Sequence, residues 1–262
     1  MPTMRTDTLT RKSSPWADTA LDASIRDGSA NAVMLGCGEA YLGPFGIFLQ
    51  ATTVQIGLLA ALPQLAAAVM QWLSAMAMDR CQGRLRTIRR SVLCQALVWI
   101  PMALMPFMLG RGPNAAAVLI LLVVISQAAA GFAVPVWNSL IGDLVPGEIR
   151  GRFFGHRNRV NGLSSFLALI IAGSALHFFE RAGRAGLGFM LIFLVAGLAR
   201  MDSRRWLARY RDPEFILPAE QVFTFRQFLR RSPHSNFAKF VFYVGAVNMA
   251  VAFSAPPEWA CK

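Results

Sequence analysis

The stretch of sequence that decides the fold is residues 115–138, AAAVLILLVVISQAAAGFAVPVWN. It contains no acidic or basic side chain, and its strongly polar groups are Gln127 and Asn138. A helix needs about 20 mostly apolar residues to cross the hydrocarbon core of a bilayer. The run is long enough for this, so we expect a membrane-spanning helix here.

The rest of the chain has the same character. Of 262 residues, 55% are hydrophobic and only 15% are charged, which leaves too little polar surface for a soluble globular protein. We therefore predict an all-α integral membrane protein in a lipid bilayer, with a six-helix transmembrane bundle plus a seventh helix. The predicted spans are residues 30–49, 54–78, 91–110, 115–138, 160–179, 186–200 and 237–255.

These spans divide the chain into segments of different composition. A polar segment precedes the first span, and a basic, proline-containing loop separates the sixth from the seventh. The predicted division is a cytoplasmic N-terminal segment at 1–29, the bundle at 30–200, a basic cytoplasmic loop at 201–236, the seventh helix at 237–255 and a short tail at 256–262.

The basic residues predict the orientation. The formal net charge is +12, and nearly all lysines and arginines lie before the first span or in the gaps after the second, fourth and sixth spans. By the positive-inside rule these segments, including the N-terminus, are cytoplasmic. Because the basic residues lie in short gaps between apolar runs and not on a polar domain, nucleic-acid binding is disfavoured. We expect a multi-pass protein of the bacterial inner membrane.

The sequence offers little support for an enzyme, a cofactor or a receptor. The four cysteines form no CxxC pair, the three histidines are far apart, and no HExxH, GxSxG or nucleotide-binding motif is present. A seven-helix photoreceptor is disfavoured because the N-terminus is predicted inside and the seventh span has no central lysine. We predict no enzymatic activity, no metal and no cofactor.

Two loops on the predicted cytoplasmic side carry charged, glycine-containing patterns. The first follows Ala75 and contains Asp79-Arg80, Gly83-Arg84 and Arg89-Arg90; the second is the stretch 143–152, DLVPGEIRGR. These patterns resemble the loop signatures of the major facilitator superfamily, and the resemblance in layout covers residues 30–255. It implies the N-terminal half of a twelve-helix transporter plus the first helix of its second half, so that the chain looks truncated.

The resemblance also implies that these loops gate access from the cytoplasm. A carboxylate among arginines can form charge-assisted hydrogen bonds that hold in one state and release in another. The alternative is that the basic residues only set topology. The implied gating residues are Asp79, Arg80, Gly83, Arg84, Asp143, Arg150, Gly151 and Arg152.

Glu39 is the candidate transport residue. It lies near the middle of the first predicted span, where an ionisable group costs at least ~2.5 kcal/mol and commonly marks a transport pathway. The small residues around it permit close helix approach or local unwinding. Burial as a neutral, hydrogen-bonded acid is the structural alternative. The resemblance, in which helices 1, 4 and 7 line the cavity, adds Tyr41, Gln127 and Asn248, each of which has interhelical hydrogen bonding as an alternative role.

The predicted function is secondary active transport of a small solute by alternating access, with proton coupling through Glu39. The expected partners are the bilayer, the solute, protons, and either the missing C-terminal half or a second copy of the chain. The alternative is an inactive truncated fragment, or a homodimerising membrane protein without transport activity of its own.

Overall fold

The computed structural model describes residues 15–77, 83–210 and 236–254. Within these residues the secondary structure is entirely helical. The helices are α1 (Pro15–Cys37), a 3-10 turn (Glu39–Tyr41), α2 (Leu42–Phe48), α3 (Thr53–Ala77), α4 (Arg84–Met108), α5 (Pro113–Leu144), α6 (Arg150–Arg181), α7 (Ala185–Leu207) and α8 (Asn236–Ser254).

Five of the described helices, α3 to α7, are long and apolar enough to cross a membrane. They coincide with the second to sixth predicted spans, including the short sixth one. The chain is therefore an integral, multi-pass membrane protein in contact with the lipid bilayer. The first and seventh predicted spans, and with them the count of six helices plus one, remain predictions.

The first predicted span is broken in the structure. α1 begins at Pro15 and ends at Cys37, after which the chain forms the 3-10 turn and continues as α2. The break falls where helices crowd together: a Cβ added to Gly38 would lie 2.6 Å from the Trp99 ring and 2.8 Å from the Ala196 side chain. Only glycine fits so close an approach. The break places Glu39 outside regular α-helix.

The chain divides into two compact units, Met1–Pro213 and Glu214–Lys262. In the first unit α1 packs against α6 and α7, α4 against α5 and α7, and α3 against α5. The centre of this bundle is aromatic, with the Phe45 ring 4.9 Å from the rings of both Phe189 and Phe193. In the second unit the described element is α8, which covers most of the predicted seventh span.

Candidate functional site

A cavity of about 270 Å³ lies between α1, α4, α5, α6 and α7. Its walls are partly apolar, but they also carry two acids, two arginines and three side-chain amides. Such groups are costly inside a membrane protein and concentrate where solutes or ions pass. The polar lining residues are Asp27, Asn31, Glu39, Gln95, Gln127, Arg157 and Arg200.

Glu39 and Gln127 meet at this cavity. Glu39 begins the 3-10 turn after the break in the first span, and Gln127 lies in the middle of α5. The Gln127 side chain lies close enough to the Glu39 carboxyl group for the two to interact. Two of the four residues predicted from the sequence are thus brought together on the cavity wall.

Tyr41, the third predicted pathway residue, does not join them. The Tyr41 hydroxyl donates a hydrogen bond to the backbone carbonyl of Leu169 on α6 at 2.7 Å, and Tyr41 is not among the residues that line the cavity. The contact fastens the chain just after the break to the neighbouring helix. The side chain of Asn248 lies outside the described part of the structure.

Arg200 is a lining residue that the sequence pattern does not single out. From its place at the end of the apolar run 186–200 we expect it to extend to the lipid headgroups. Instead the guanidinium turns into the bundle and is only 9% exposed. Its Nε and Nη2 donate to Gln95 Oε1 at 2.8 and 2.5 Å, and its Nη1 donates to Asn31 Oδ1 at 2.6 Å and Ser203 Oγ at 3.1 Å. The side chain thus ties α7 to α1 and α4.

Asp27 is also buried, although it falls within the predicted N-terminal segment. Its Oδ1 accepts a hydrogen bond from Ser203 Oγ at 2.6 Å, and its Oδ2 accepts a longer one from the Tyr210 hydroxyl at 3.4 Å. Burial raises the pKa of Tyr210, and the adjacent carboxylate adds to the effect. Ser203 therefore bridges Asp27 and Arg200. No local pattern predicts this bridge, because Asp27 lies far along the chain from Arg200 and Ser203.

Arg157 supplies the second guanidinium of the cavity. It lies on α6, and its Nε donates to the backbone carbonyl of Ser24 at 3.2 Å. Its guanidinium carbon lies 4.6 Å from the centre of the Trp137 ring, close enough for a cation–π interaction. These contacts hold the charge at the cavity wall.

The two loops with family-like patterns are joined by an ion pair. Arg84 Nη1 lies 2.5 Å from Asp143 Oδ2 and 3.1 Å from Ser139 Oγ. Arg84 is 2% exposed. It follows Gly83, whose φ of 92° is left-handed and suits glycine. The start of α4 is thereby fixed to the end of α5.

Arg150 strengthens the second loop. Its Nη2 donates to the backbone carbonyls of Gly142 at 3.0 Å and Val145 at 3.3 Å, which are acceptors left over at the end of α5. Gly151 and Arg152 are exposed. Asp79 and Arg80, which the sequence also predicts as gating residues, lie outside the described residues.

The cavity lining combines hydrogen-bond donors with acceptors. Its arginines and amides donate hydrogen bonds, and its carboxylates accept them or carry a proton. Such a set can bind a polar solute or exchange a proton. The described residues contain no cluster of three or more His, Cys, Asp or Glu side chains that would hold a metal ion.

Comparison with known protein families assigns the chain to one of them. A family model described as Major Facilitator Superfamily matches residues 29–259. The match covers most of the chain, so the protein belongs to the major facilitator superfamily, a family of membrane transporters and not of enzymes. A search of curated proteins finds none that matches it.

Proposed function

We propose that the chain is a secondary transporter that moves a small solute by alternating access and couples this movement to protons through Glu39. The observation that carries the proposal is the position of Glu39, at a helix break and on the wall of a polar cavity that Gln127 also lines. In transporters, broken helices at the centre of the membrane are a recurrent way to build a solute or ion site.

The helix break supports a binding role. Gly38 is the last residue here whose N–H makes the regular i to i−4 bond, to the carbonyl of Met34, and Glu39 to Tyr41 continue as a 3-10 turn. Irregular backbone at membrane depth is tolerated only where it is buried in protein or lines a water-filled cavity. A carboxylate at such a place can take up or release a proton as the cavity opens to one side and then the other.

The ion pair between Arg84 and Asp143 supports a gating role for the two loops. It links the start of α4 to the end of α5, so a change in the angle between these helices must break or rearrange it. In the proposed mechanism the pair holds one conformation, Arg150 stiffens the adjacent turn, and Asp79, Arg80, Gly83, Gly151 and Arg152 belong to the same gate.

The proposed topology has the N-terminus and these loops in the cytoplasm, six helices followed by a seventh, and a bacterial inner membrane as the location. The distribution of arginines supports this orientation. The proposed domains are those of the sequence prediction, with the transmembrane bundle at 30–200 and the seventh helix at 237–255.

The experiment is proton-coupled uptake by the purified chain in liposomes loaded with a pH-sensitive dye. A panel of small carboxylates, amines, amino acids and sugars is added under an imposed pH gradient. One solute class should move protons with it, and Glu39→Gln should abolish the proton movement. The matched control is Glu180→Gln, which changes an exposed carboxylate at the end of α6.

The result that contradicts the proposal is proton-coupled uptake that survives Glu39→Gln unchanged. Absence of uptake for every solute, with the chain correctly folded in the liposomes, favours the alternative of an inactive or homodimerising membrane protein.

A further inference from the structure

The cavity holds four charged side chains, and their arrangement indicates which solute it takes. Those that share the cavity with Glu39 are Asp27 from α1, Arg157 from α6 and Arg200 from α7. In the described structure the polar groups that α4 and α5 contribute to the lining are uncharged: the amides of Gln95 and Gln127 and the indole of Trp137. When both carboxyls are ionised, the two acids and two arginines cancel.

Asp27 already has hydrogen-bond partners within the protein. It is 5% exposed, and both of its oxygens accept hydrogen bonds, one from Ser203 and one from Tyr210. Through Ser203 it also lies next to Arg200. Asp27 therefore provides the counter-charge for one of the two arginines, because a buried charge without a counter-charge is very costly. The charge of the second arginine must then be balanced by Glu39 or by a ligand.

The two guanidinium groups retain donors for a ligand. An arginine has five N–H donors, and the acceptors around Arg200 in the described structure are all uncharged: Gln95, Asn31 and Ser203. Its Nη2 has one further N–H. Arg157 uses its Nε for Ser24, and its Nη groups have no hydrogen-bond acceptor among the described residues.

From this arrangement we infer that the solute is a small organic monoanion, bound through its carboxylate to Arg200 and Arg157 while Glu39 carries a proton. The inference rests on the proposed function, since it gives Glu39 the role of proton carrier. With Glu39 protonated, the cavity has one surplus positive charge, which one carboxylate cancels. With Glu39 ionised, the surplus is gone and the anion would face a like charge in a medium of low dielectric constant.

Anion binding is thereby coupled to proton uptake, because the cavity has a surplus positive charge only when Glu39 is protonated. One proton and one monoanion cross together, so the net charge moved is zero.

The volume of the cavity limits the size of the solute, because about 270 Å³ lies just below the ~300–1,000 Å³ of pockets for drug-sized ligands. A cationic solute is disfavoured, since it would enter a space that two guanidinium groups share.

The test measures binding of four probes of similar shape to the purified full chain: benzoate, benzamide, benzylamine and phenylalanine. Radiolabelled benzoate binding is followed at pH 5.5 and pH 7.5, and the other three are used as competitors. We expect benzoate to bind at least tenfold more tightly at the lower pH, with weak competition from the other probes. Glu39→Gln should bind benzoate at both pH values with the affinity of the wild type at low pH.

The arginine variants test the carboxylate contact. Arg200→Gln and Arg157→Gln should each weaken benzoate binding at least tenfold, whereas Arg181→Gln, at the exposed end of α6, should leave it unchanged. Since Arg200 also ties three helices together, Arg200→Lys provides a second variant that keeps the charge. If neither Arg200 variant folds, benzoate binding by Arg157→Gln and Glu39→Gln tests the inference.

The inference is overturned if benzamide or benzylamine binds as tightly as benzoate, if phenylalanine binds more tightly than benzoate, or if benzoate uptake into liposomes responds to an imposed membrane potential. Its failure is distinct from failure of the proposed function. Proton-coupled uptake of an uncharged solute would support the proposed transport function and contradict the anion site. Benzoate binding that depends on Glu39 and pH, without any uptake, would support the anion site and contradict the transport function.

Discussion

Arg84 at the start of α4 and Asp143 at the end of α5 form an ion pair, with 2.5 Å between Nη1 and Oδ2. The two partners differ in burial: the Arg84 side chain is 2% exposed and the Asp143 side chain is 48% exposed. Removing the accessible partner leaves the buried guanidinium with one acceptor fewer, and such a loss costs more than the loss of a surface pair.

Asp143→Asn is therefore expected to destabilise the bundle by about 1–2 kcal/mol, less than for a fully buried pair because water reaches Asp143. Thermal unfolding of the detergent-solubilised chain measures the effect. Glu148→Gln, which removes an exposed carboxylate from the same loop, is the control and should change the unfolding temperature little. Equal unfolding temperatures for the two variants would show that the pair contributes nothing to stability.

Ser203→Ala removes the bridge between Asp27 and Arg200. Ser203 is fully buried, and its hydroxyl both donates to Asp27 and accepts from Arg200. The variant leaves both charged groups short of a partner, which costs about 1–3 kcal/mol. The same unfolding assay measures it, with Ser164→Ala on α6 as the control. A loss no larger than that of the control contradicts the bridging role.

Gly131 allows α5 to approach α3. A Cβ added at this position would lie 2.7 Å from the Ala67 Cα and closer still to the Ala67 carbonyl oxygen. Because these are backbone atoms, the helices must separate, and Gly131→Ala should cost about 1–3 kcal/mol.

Gly142, also on α5, is the matched control for Gly131. An added Cβ there meets nothing within 4 Å, so Gly142→Ala should leave stability unchanged or raise it by up to about 1 kcal/mol through helix propensity. The unfolding assay should therefore show a loss of stability for Gly131→Ala and no loss for Gly142→Ala. A stabilising Gly131→Ala would mean that α3 and α5 do not pack this closely.

The predicted orientation is testable by cysteine labelling in intact cells. In a chain whose native cysteines are replaced by alanine, Glu148→Cys lies between α5 and α6, and Ala182→Cys lies between α6 and α7. By the positive-inside rule, a membrane-impermeant maleimide should label Ala182→Cys only. Labelling of Glu148→Cys from outside would reverse the proposed topology.

The local sequence was sufficient to locate α3 to α7, the five described helices that are long and apolar enough to cross a membrane. Runs such as 115–138 and 54–78 predict spans directly, because the bilayer requires a fixed length of apolar chain whatever the neighbours are. The same reasoning located α7 from a short apolar run followed by arginines, and it singled out Glu39, since an acid within such a run stands out by composition alone.

The sides of the helices that face the cavity were decided only by the tertiary structure. In lipid a helix is apolar on nearly all sides, so the sequence carries no strong amphipathic pattern that shows which face turns inward. For this reason Arg200, which local reasoning assigns to the headgroups, lies in the bundle beside Gln95. The sequence by itself determined that the chain crosses the membrane and where an acid lies within it, whereas long-range packing decided which charges share one cavity.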